Sequence, residues 1–338
     1  MPGKTDAPDL AHSELLQRPP HGRVVGSTNK PLIVTPTFVS RSDVTPKDER
    51  LHDAGSGVNR AGREVAHPDR HPNVLALEPD PNRAFEHWNE YWRKVHGPKF
   101  AYEEPGTQND RVLRYDQVHR IASGPSSDCR PPYRAMVDGE GRLVRDSAAR
   151  VPTYERPSWD GFAYIAYGAE EDIEAVLGQE QYAKRIIADE RTAFRMVTRE
   201  VAREYIVIPS ARHRDPVSLV KIHRRRSGLM REAFQARWLK EHADLVAGKA
   251  ATADFVRRCT QLHPFGSTQA DPEGSKIDGI SVFAFASLND VEDYVVTGDH
   301  AAIEAAEAEI ADPRASEFWT AVNYGVINRR RPEVATEW

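Results

Sequence analysis

Two histidines in the first half of the sequence have the type and spacing for acid–base chemistry. Trp88, Trp92 and His96 follow one another at intervals of four residues, and His119 ends a Gln-Val-His segment further along. An interval of four keeps side chains on one face of a helix, so His96 is expected to share the buried face of the tryptophans. An imidazole with a pKa of about 6.5 can take and return a proton near neutral pH. His96 and His119 are therefore candidate catalytic residues.

The same pattern returns in the second half of the sequence. Phe234, Trp238 and His242 repeat the interval of four, and His263 ends a Gln-Leu-His segment. His242 and His263 therefore join the candidate catalytic residues. A structural role is an equal alternative for the two helix histidines, because an imidazole near a helix C-terminus can also cap backbone carbonyls.

Aromatic side chains near these histidines are candidates for binding a substrate. Tyr115, Tyr164 and Tyr167 alternate with apolar residues, and each could donate a hydrogen bond to an oxyanion or stack on an aromatic compound. A half-buried core position is the alternative for each. Tyr115 is taken as a candidate catalytic residue. The expected substrate-binding residues are Trp88, Trp92, Tyr164, Tyr167 and Trp238.

Composition and missing motifs exclude several classes of function. The balance of 46 Lys and Arg against 51 Asp and Glu gives a net charge of -5, which argues against a nucleic acid or an anionic membrane surface as partner. The sequence has no His-Glu-x2-His, no Gly-rich phosphate loop and no Gly-x-Ser-x-Gly, and only two cysteines. No metal site is expected. Because no apolar segment reaches about 20 residues, we expect a soluble, cytoplasmic protein.

An internal repeat extends beyond the histidine motifs. The segment from Asp160 to Glu174 aligns without gaps on the segment from Asp278 to Glu292, with five identities in 15 positions. Both segments begin with Asp-Gly and continue as an apolar strand. Together with the two aromatic and histidine motifs, which occur in the same order, this alignment predicts that the sequence contains a duplication.

Each copy is expected to run strand, helix, strand, strand, helix, strand. The first copy is predicted over 71–210 and starts with a strand at 74–77, and the second is predicted over 216–331 and starts with a strand at 218–222. This order is typical of a ferredoxin-like α+β fold. Two such sheets each have one open face, so the prediction is a pair of tandem ferredoxin-like repeats packed sheet to sheet as a pseudo-dimeric α+β barrel.

Two segments lie outside the predicted repeats. Residues 1–70 are rich in Pro, Gly, Asp and Arg, and we expect an extended N-terminal arm that contains one short strand-like run at 32–39. The arm could wrap its own chain or a second subunit, and a homodimer is expected. A Pro-rich insertion at 125–158 carries a hairpin signal and is expected to cover the pocket of the first copy as a lid. We therefore expect the first copy to hold the principal site.

The ordered set of motifs resembles an EthD-type domain of the dimeric α+β barrel superfamily. The resemblance covers about residues 71–330 and includes Trp-x3-His, Gln-Val-His or Gln-Leu-His, the Asp-Gly strand and the Ile-Ala-Asp-Glu segment that holds Asp189. It implies that Asp189 orients a histidine. The second copy departs from the pattern, with Asp312-Pro313-Arg314 where the first has Asp189-Glu190.

The resemblance implies a lyase, cyclase or isomerase that works without a cofactor on a hydrophobic, aromatic or polyketide-like carbonyl compound. In that interpretation a pocket histidine moves the proton. Two alternatives stay open. One is a haem enzyme, because some members of the superfamily bind haem and His300 has the right residue type for an iron ligand. The other is a protein that binds a small molecule without catalysis.

Overall fold

The computed structural model describes nine stretches of the chain. They are residues 30–41, 85–101, 107–121, 124–127, 129–131, 157–210, 215–267, 276–329 and 333–337. The predicted strand at 74–77, the hairpin of the insertion and the rest of the N-terminal arm lie outside these described residues.

Eight antiparallel strands close into one barrel. Around the barrel the order is β1-β3-β2-β8-β5-β7-β6-β4. The strands are β1 (Leu32–Arg41), β2 (Val112–Arg120), β3 (Gly161–Tyr167), β4 (Phe194–Ile208), β5 (Val217–His223), β6 (Arg258–Ser267), β7 (Gly279–Phe285) and β8 (Glu317–Asn328).

The predicted fold class, tandem ferredoxin-like α+β repeats with two sheets packed face to face, is wrong. The two longest strands join the halves edge to edge, since β4 pairs with both β1 and β6 and β8 pairs with both β2 and β5. Edge pairing satisfies backbone N–H and C=O groups that a packed sandwich would leave unpaired. The result is one closed eight-stranded antiparallel barrel.

The strand predicted inside the N-terminal arm is part of this barrel. β1 lies between β3 and β4, with Phe38 opposite Phe162 on one side and Thr198 on the other. Pairing with β4 is interrupted at Pro36, which has no N–H to donate to the ladder. Residues 32–41 are therefore a barrel strand rather than an irregular arm.

Successive strand residues face opposite sides of the barrel wall, as the two-residue period of a strand requires. In β3, Phe162 and Tyr164 belong to the core inside the barrel, whereas Ile165 and Tyr167 pack outward against the helices. Side chains on the outer face are the ones that can line a pocket between strand and helix.

Helices cover the outside of the barrel, and three of them contain a π segment. The first runs through α1 (Phe85–Tyr91), the π segment Trp92–His96 and α2 (Gly97–Ala101). Next come α3 (Glu171–Leu177), α4 (Glu180–Tyr182), the π segment Ala183–Ile187 and α5 (Ala188–Ala193). The second half has α6 (Arg231–Arg237), the π segment Trp238–His242, α7 (Ala243–Ala247), α8 (Ala250–Phe255), α9 (Leu288–Val295) and α10 (Gly298–Ile310). Among the described residues, none of these helices has the length and apolar character needed to cross a membrane.

Candidate functional site

A cavity of about 490 Å³ lies between α10 and the outer face of β5 and β8. We call it the α10 cavity. Three small side chains of α10, at intervals of four and three residues, contribute to its lining: Ala301, Ala305 and Ala308. The full lining is Ser127, Arg130, Lys221, His223, Ala301, Glu304, Ala305, Glu307, Ala308, Ala311, Pro313, Ser316, Glu317 and Phe318. This volume is within the range of pockets for small organic ligands.

The cavity contains a buried ion pair. Lys221 projects from the middle of β5, and its Nζ donates to Glu307 Oε2 on α10. His242 Nε2 lies 2.9 Å from the other carboxylate oxygen of Glu307. Burial opposes ionisation of Glu307, but the Lys221 charge and the His242 hydrogen bond outweigh it and hold the pKa of this carboxyl well below its usual range. Glu307 is therefore a carboxylate that fixes the Lys221 ammonium in place.

The Lys221 ammonium has N–H groups that donate to no described residue. Of the described residues, only Glu307 accepts a hydrogen bond from Nζ, whereas an ammonium carries three N–H groups. The side chain is 6% exposed, so water reaches it only through the cavity that it lines. A buried cation with unused donors is suited to bind an oxygen of a molecule in that cavity.

Two of the predicted histidines are linked to this ion pair by hydrogen bonds. Gln261 Nε2 donates to Trp238 O at 3.0 Å and lies 3.2 Å from His242 Nδ1. Gln261 Oε1 lies 3.1 Å from His263 Nε2. These partners assign His242 the tautomer that donates from Nε2 to Glu307. His242 and His263 thus belong to one hydrogen-bonded chain that ends at Lys221, but neither lines the cavity.

His223 is the histidine that does line the α10 cavity. Its Nε2 lies 3.0 Å from Ser281 Oγ. Burial lowers the pKa of His223 to about 3, and the nearby Glu307 charge counteracts this only in part. The imidazole is consequently neutral near neutral pH and can offer a lone pair to a ligand.

The described start of the Pro-rich insertion, residues 125–127 and 129–131, lies at the α10 cavity. Ser126 forms a β-bridge with Trp319, and Ser127 and Arg130 contribute to the lining. The lid expected over the first copy stays a prediction. The chain from 132 to 156 lies outside the described residues.

In the first half the structure brings His96 and Asp189 together. His96 ends a π segment, and its Nδ1 lies 2.7 Å from Asp189 Oδ2. Asp189 also accepts from Lys99 Nζ at 2.7 Å and from the Tyr91 hydroxyl. Burial opposes ionisation of Asp189, but these three hydrogen bonds outweigh it and lower its pKa to about 2. The arrangement is a histidine oriented by a carboxylate.

The space beside this pair is small. His96 lines a cavity of about 20 Å³, which we call the α1 cavity, together with Tyr115, Tyr182, Glu190 and Arg199. Such a volume holds about one water molecule. Burial raises the pKa of Tyr115 far above its ordinary value, so the hydroxyl stays protonated. Neither of the two cavities formed by described residues of the first half, each about 20 Å³, offers room for an organic ligand.

His119 packs against Trp92 and does not line the α1 cavity with His96. Its ring stacks on Trp92 with centroids 4.1 Å apart, and its Nδ1 lies 2.7 Å from Asn89 Oδ1. Burial lowers the pKa of His119 to about 3, and the same cause lowers the pKa of His263, which stacks on Trp238, to about 3.

The expected substrate-binding residues are distributed over three places. Tyr164 lies inside the barrel, where its hydroxyl donates to Glu204 and Arg258 Nη2 lies 3.4 Å away. Tyr167 packs in the outer layer of the first half, and burial raises its pKa to about 12. The three tryptophans, Trp88, Trp92 and Trp238, are fully buried under the helices, and none of them lines the α10 cavity.

The residues of the α10 cavity do not fit the haem alternative. His300 lies in the first turn of α10, 2% exposed, and it is not among the side chains that line the α10 cavity. Burial lowers its pKa to about 4. The cavity wall carries Lys221, Glu304 and Glu307, whereas a haem pocket needs a large apolar surface. Among the described residues there is also no group of three or more His, Cys, Asp or Glu side chains placed to hold a metal ion.

Sequence reasoning missed Lys221, His223 and Glu307. One signal for the first was available, because a lysine inside the apolar run VSLVKIH is seldom buried without a partner. Glu307 gave no such signal, since a glutamate in an Ala- and Glu-rich helix is typical of a solvated face.

Comparison with known proteins gives one family match. Residues 226–314 match the EthD domain family, from just after β5 to just before β8. Among curated proteins no match was found. The matched range contains His242, Gln261 and Glu307, but not Lys221.

Similar solved structures are distant. One is an anthrone oxidase-like protein, 12% identical, covering 93% of this chain and 99% of that chain, with a TM-score of 0.44. A protein named as a candidate monooxygenase from Lactobacillus acidophilus NCFM is 7% identical, with 91% and 100% coverage and a TM-score of 0.41. Another named in the same way, from Fusobacterium nucleatum subsp. nucleatum ATCC 25586, is 8% identical, with 91% and 98% coverage and a TM-score of 0.41. Likeness at this level carries no information on function.

Proposed function

We propose that the chain is an enzyme that binds a small carbonyl compound in the α10 cavity and moves a proton next to the carbonyl group. Lyase, cyclase and isomerase reactions that pass through an enolate share this step. The observation that carries the proposal is the buried Lys221 ammonium, which lines a cavity of about 490 Å³ and has donors that no described residue uses.

Lys221 would stabilise the negative charge that develops on the carbonyl oxygen when the neighbouring carbon loses a proton. The cation is fixed before the substrate arrives, because Glu307 holds it and His242 holds Glu307. Preorganised charge stabilisation of this kind is the largest single term in many enzymes, and removal of one such donor costs about 10²- to 10³-fold in kcat. His242, and His263 linked to it through Gln261, thus have a positioning role.

His223 is the proposed proton acceptor. It lines the same cavity and is neutral, so one of its ring nitrogens carries a lone pair that can take the proton. The imidazolium that forms lies in the field of Glu307, which favours the charged form and offsets part of its burial cost. Proton acceptance by His223 and charge stabilisation by Lys221 would then act on one bound molecule.

One observation favours a second candidate, a binding protein without catalysis. The pKa values of His223 and Glu307 are both lowered, which makes both groups weak bases. A protein with the same cavity that only holds its ligand would show binding and no proton transfer.

Proton exchange tests the proposal directly. The full chain is incubated in D₂O with a panel of aryl ketones, and deuterium uptake at the carbon next to the carbonyl is followed by proton NMR. We expect uptake with at least one compound, about 10²-fold slower or more in Lys221→Met. His223→Gln should lose the exchange, and Lys240→Met, which changes an exposed lysine of the neighbouring helix, should retain it.

Three outcomes separate the candidates. Exchange that depends on Lys221 supports the enzyme. Saturable binding that depends on Lys221 without any exchange favours the binding protein. Exchange that is equal in the wild type and in Lys221→Met contradicts the proposed role of the α10 cavity.

A further inference from the structure

Arg130 is held at the α10 cavity by a well-anchored turn. Ser127 N donates to Phe318 O at 3.0 Å, Phe318 N donates to Ser127 Oγ at 2.7 Å, and Thr320 Oγ1 donates to Pro125 O at 2.7 Å. Ser126 and Cys129 close the turn by exchanging backbone hydrogen bonds of 2.8 and 3.2 Å. Arg130 follows directly, so its backbone position is fixed by β8.

The Arg130 side chain is preorganised but weakly engaged. Its guanidinium lies over the Phe318 ring at 4.6 Å from the centroid, and Nη1 donates to Glu304 Oε2 at 2.8 Å. The side chains of Arg130 and Glu304 are 50% and 26% exposed. An ion pair this exposed contributes little, so another carboxylate can replace Glu304 at low cost. A guanidinium has five donors in a planar fork, and a single one is used by the described residues.

We infer that the α10 cavity accepts a planar aromatic carboxylate, whose carboxylate replaces Glu304 on the fork of Arg130. The inference deepens the proposed function, because it assigns a chemical class to the molecule bound in the same cavity. Phe318 and the alanines of α10 supply the apolar surface for a planar body, and Arg130 supplies the bidentate contact for the acid. Lys221 remains available to the oxygen at the reacting carbon.

A displaced Glu304 side chain can interact with His300 and with water instead of Arg130. Its Oε2 lies 3.8 Å from His300 Nδ1, and the side chain reaches water at the rim of the cavity. In the unliganded protein Glu304 therefore competes with the ligand for Arg130. Removing the Glu304 charge should strengthen acid binding, whereas removing the Arg130 charge should weaken it. This opposite pair of effects is specific to recognition of an anion at Arg130.

A matched pair of probes measures the effect. Isothermal titration calorimetry of the full chain compares 2-naphthoate with 2-naphthamide, which has the same shape and no charge. We expect wild type to prefer the acid, and Arg130→Gln to weaken 2-naphthoate binding about tenfold while 2-naphthamide is unaffected. Glu304→Gln should bind 2-naphthoate more tightly than wild type. Arg237→Gln, which changes an exposed paired arginine on α6, is the control.

The outcomes distinguish this inference from the proposed function. If the acid and the amide bind equally and Arg130→Gln changes neither, the inference is wrong although the cavity still binds aromatic compounds. If neither probe binds to any variant while an aryl ketone undergoes exchange, the inference is again wrong and the proposed function survives. A preference for the acid that Arg130→Gln removes and Glu304→Gln enhances supports the inference whether or not exchange is seen.

Discussion

The ion pair between Lys221 and Glu307 gives a quantitative prediction for stability. The two side chains are 6% and 9% exposed, so they lie in the regime of buried ion pairs. Loss of one partner of such a pair costs about 3 to 5 kcal/mol, because the remaining charge is buried without compensation. Glu307→Gln keeps the shape of the side chain and an acceptor for His242, and removes only the charge. Since Lys221 lines a cavity that water can enter, we expect the lower end of the range, about 3 kcal/mol.

A double-mutant cycle isolates this interaction. Lys221→Met should also cost about 3 kcal/mol, because it leaves the Glu307 carboxylate with His242 alone. The double variant Lys221→Met/Glu307→Gln should lose much less than the sum of the single costs, since no buried charge is left over. The free energy of unfolding is measured by urea denaturation of the full chain with linear extrapolation.

An exposed pair on another helix supplies the control. Lys184 and Glu180 form an i, i+4 ion pair on the first half, with side chains 70% and 79% exposed. Glu180→Gln should leave the urea midpoint unchanged within error. Single costs below about 1 kcal/mol at Lys221 and Glu307, or additive costs in the double variant, would refute the reasoning.

Two further predictions concern the packing under the helices and the response to acid. Gly279→Ala should destabilise the protein by about 1 to 3 kcal/mol, because the new Cβ would lie 2.5 Å from Trp238 Cζ3. Gly266→Ala should cost much less, because a Cβ at that position meets nothing within 4 Å. Urea denaturation compares the two variants. The second prediction rests on buried imidazoles whose pKa values are lowered from about 6.5 to about 3 or 4, so that below pH 6.5 the unfolded chain binds protons that the folded chain excludes. The free energy of unfolding should therefore fall as the pH is lowered from about 6.5 toward 4, by up to about 1.4 kcal/mol per pH unit for each group. A urea midpoint that stays constant over that interval would rule this out. These groups are His119, His223, His263 and His300.

Local patterns in the sequence predicted elements in the second half of the fold. The apolar run that predicted a strand at 218–222 forms β5, and the aromatic spacing before His242 forms the buried helix face. Both signals depend on residues close together in the chain.

The closure of the barrel could not be deduced in the same way. Which strand completes the sheet beside β3 depends on a contact between residues 32–41 and a strand more than 100 residues away. Local periodicity does not encode that distance. The same limit applies to Glu307, whose partner Lys221 lies 86 residues before it. The role of Glu307 depends on the α10 cavity, which it lines together with Lys221.

The family resemblance implied that Asp189 orients a histidine, without indicating which one. The structure places the side chains of Asp189 and His96 in contact, but beside a cavity of about 20 Å³. Whether a histidine has space in front of it depends on the surrounding side chains, here Phe100, Tyr182 and Phe194. Residue type and spacing in the sequence do not report that space.

The most direct test of the central claim is to locate a bound small molecule. Crystals of the full chain are soaked with a fragment library that contains aryl ketones, aromatic acids and their amides, and difference density is compared between the two halves. We predict density under α10, with an oxygen of the fragment within hydrogen-bond distance of Lys221 Nζ and no such density in Lys221→Met. Density beside His96 in the α1 cavity, with the α10 cavity empty across the library, would contradict the account.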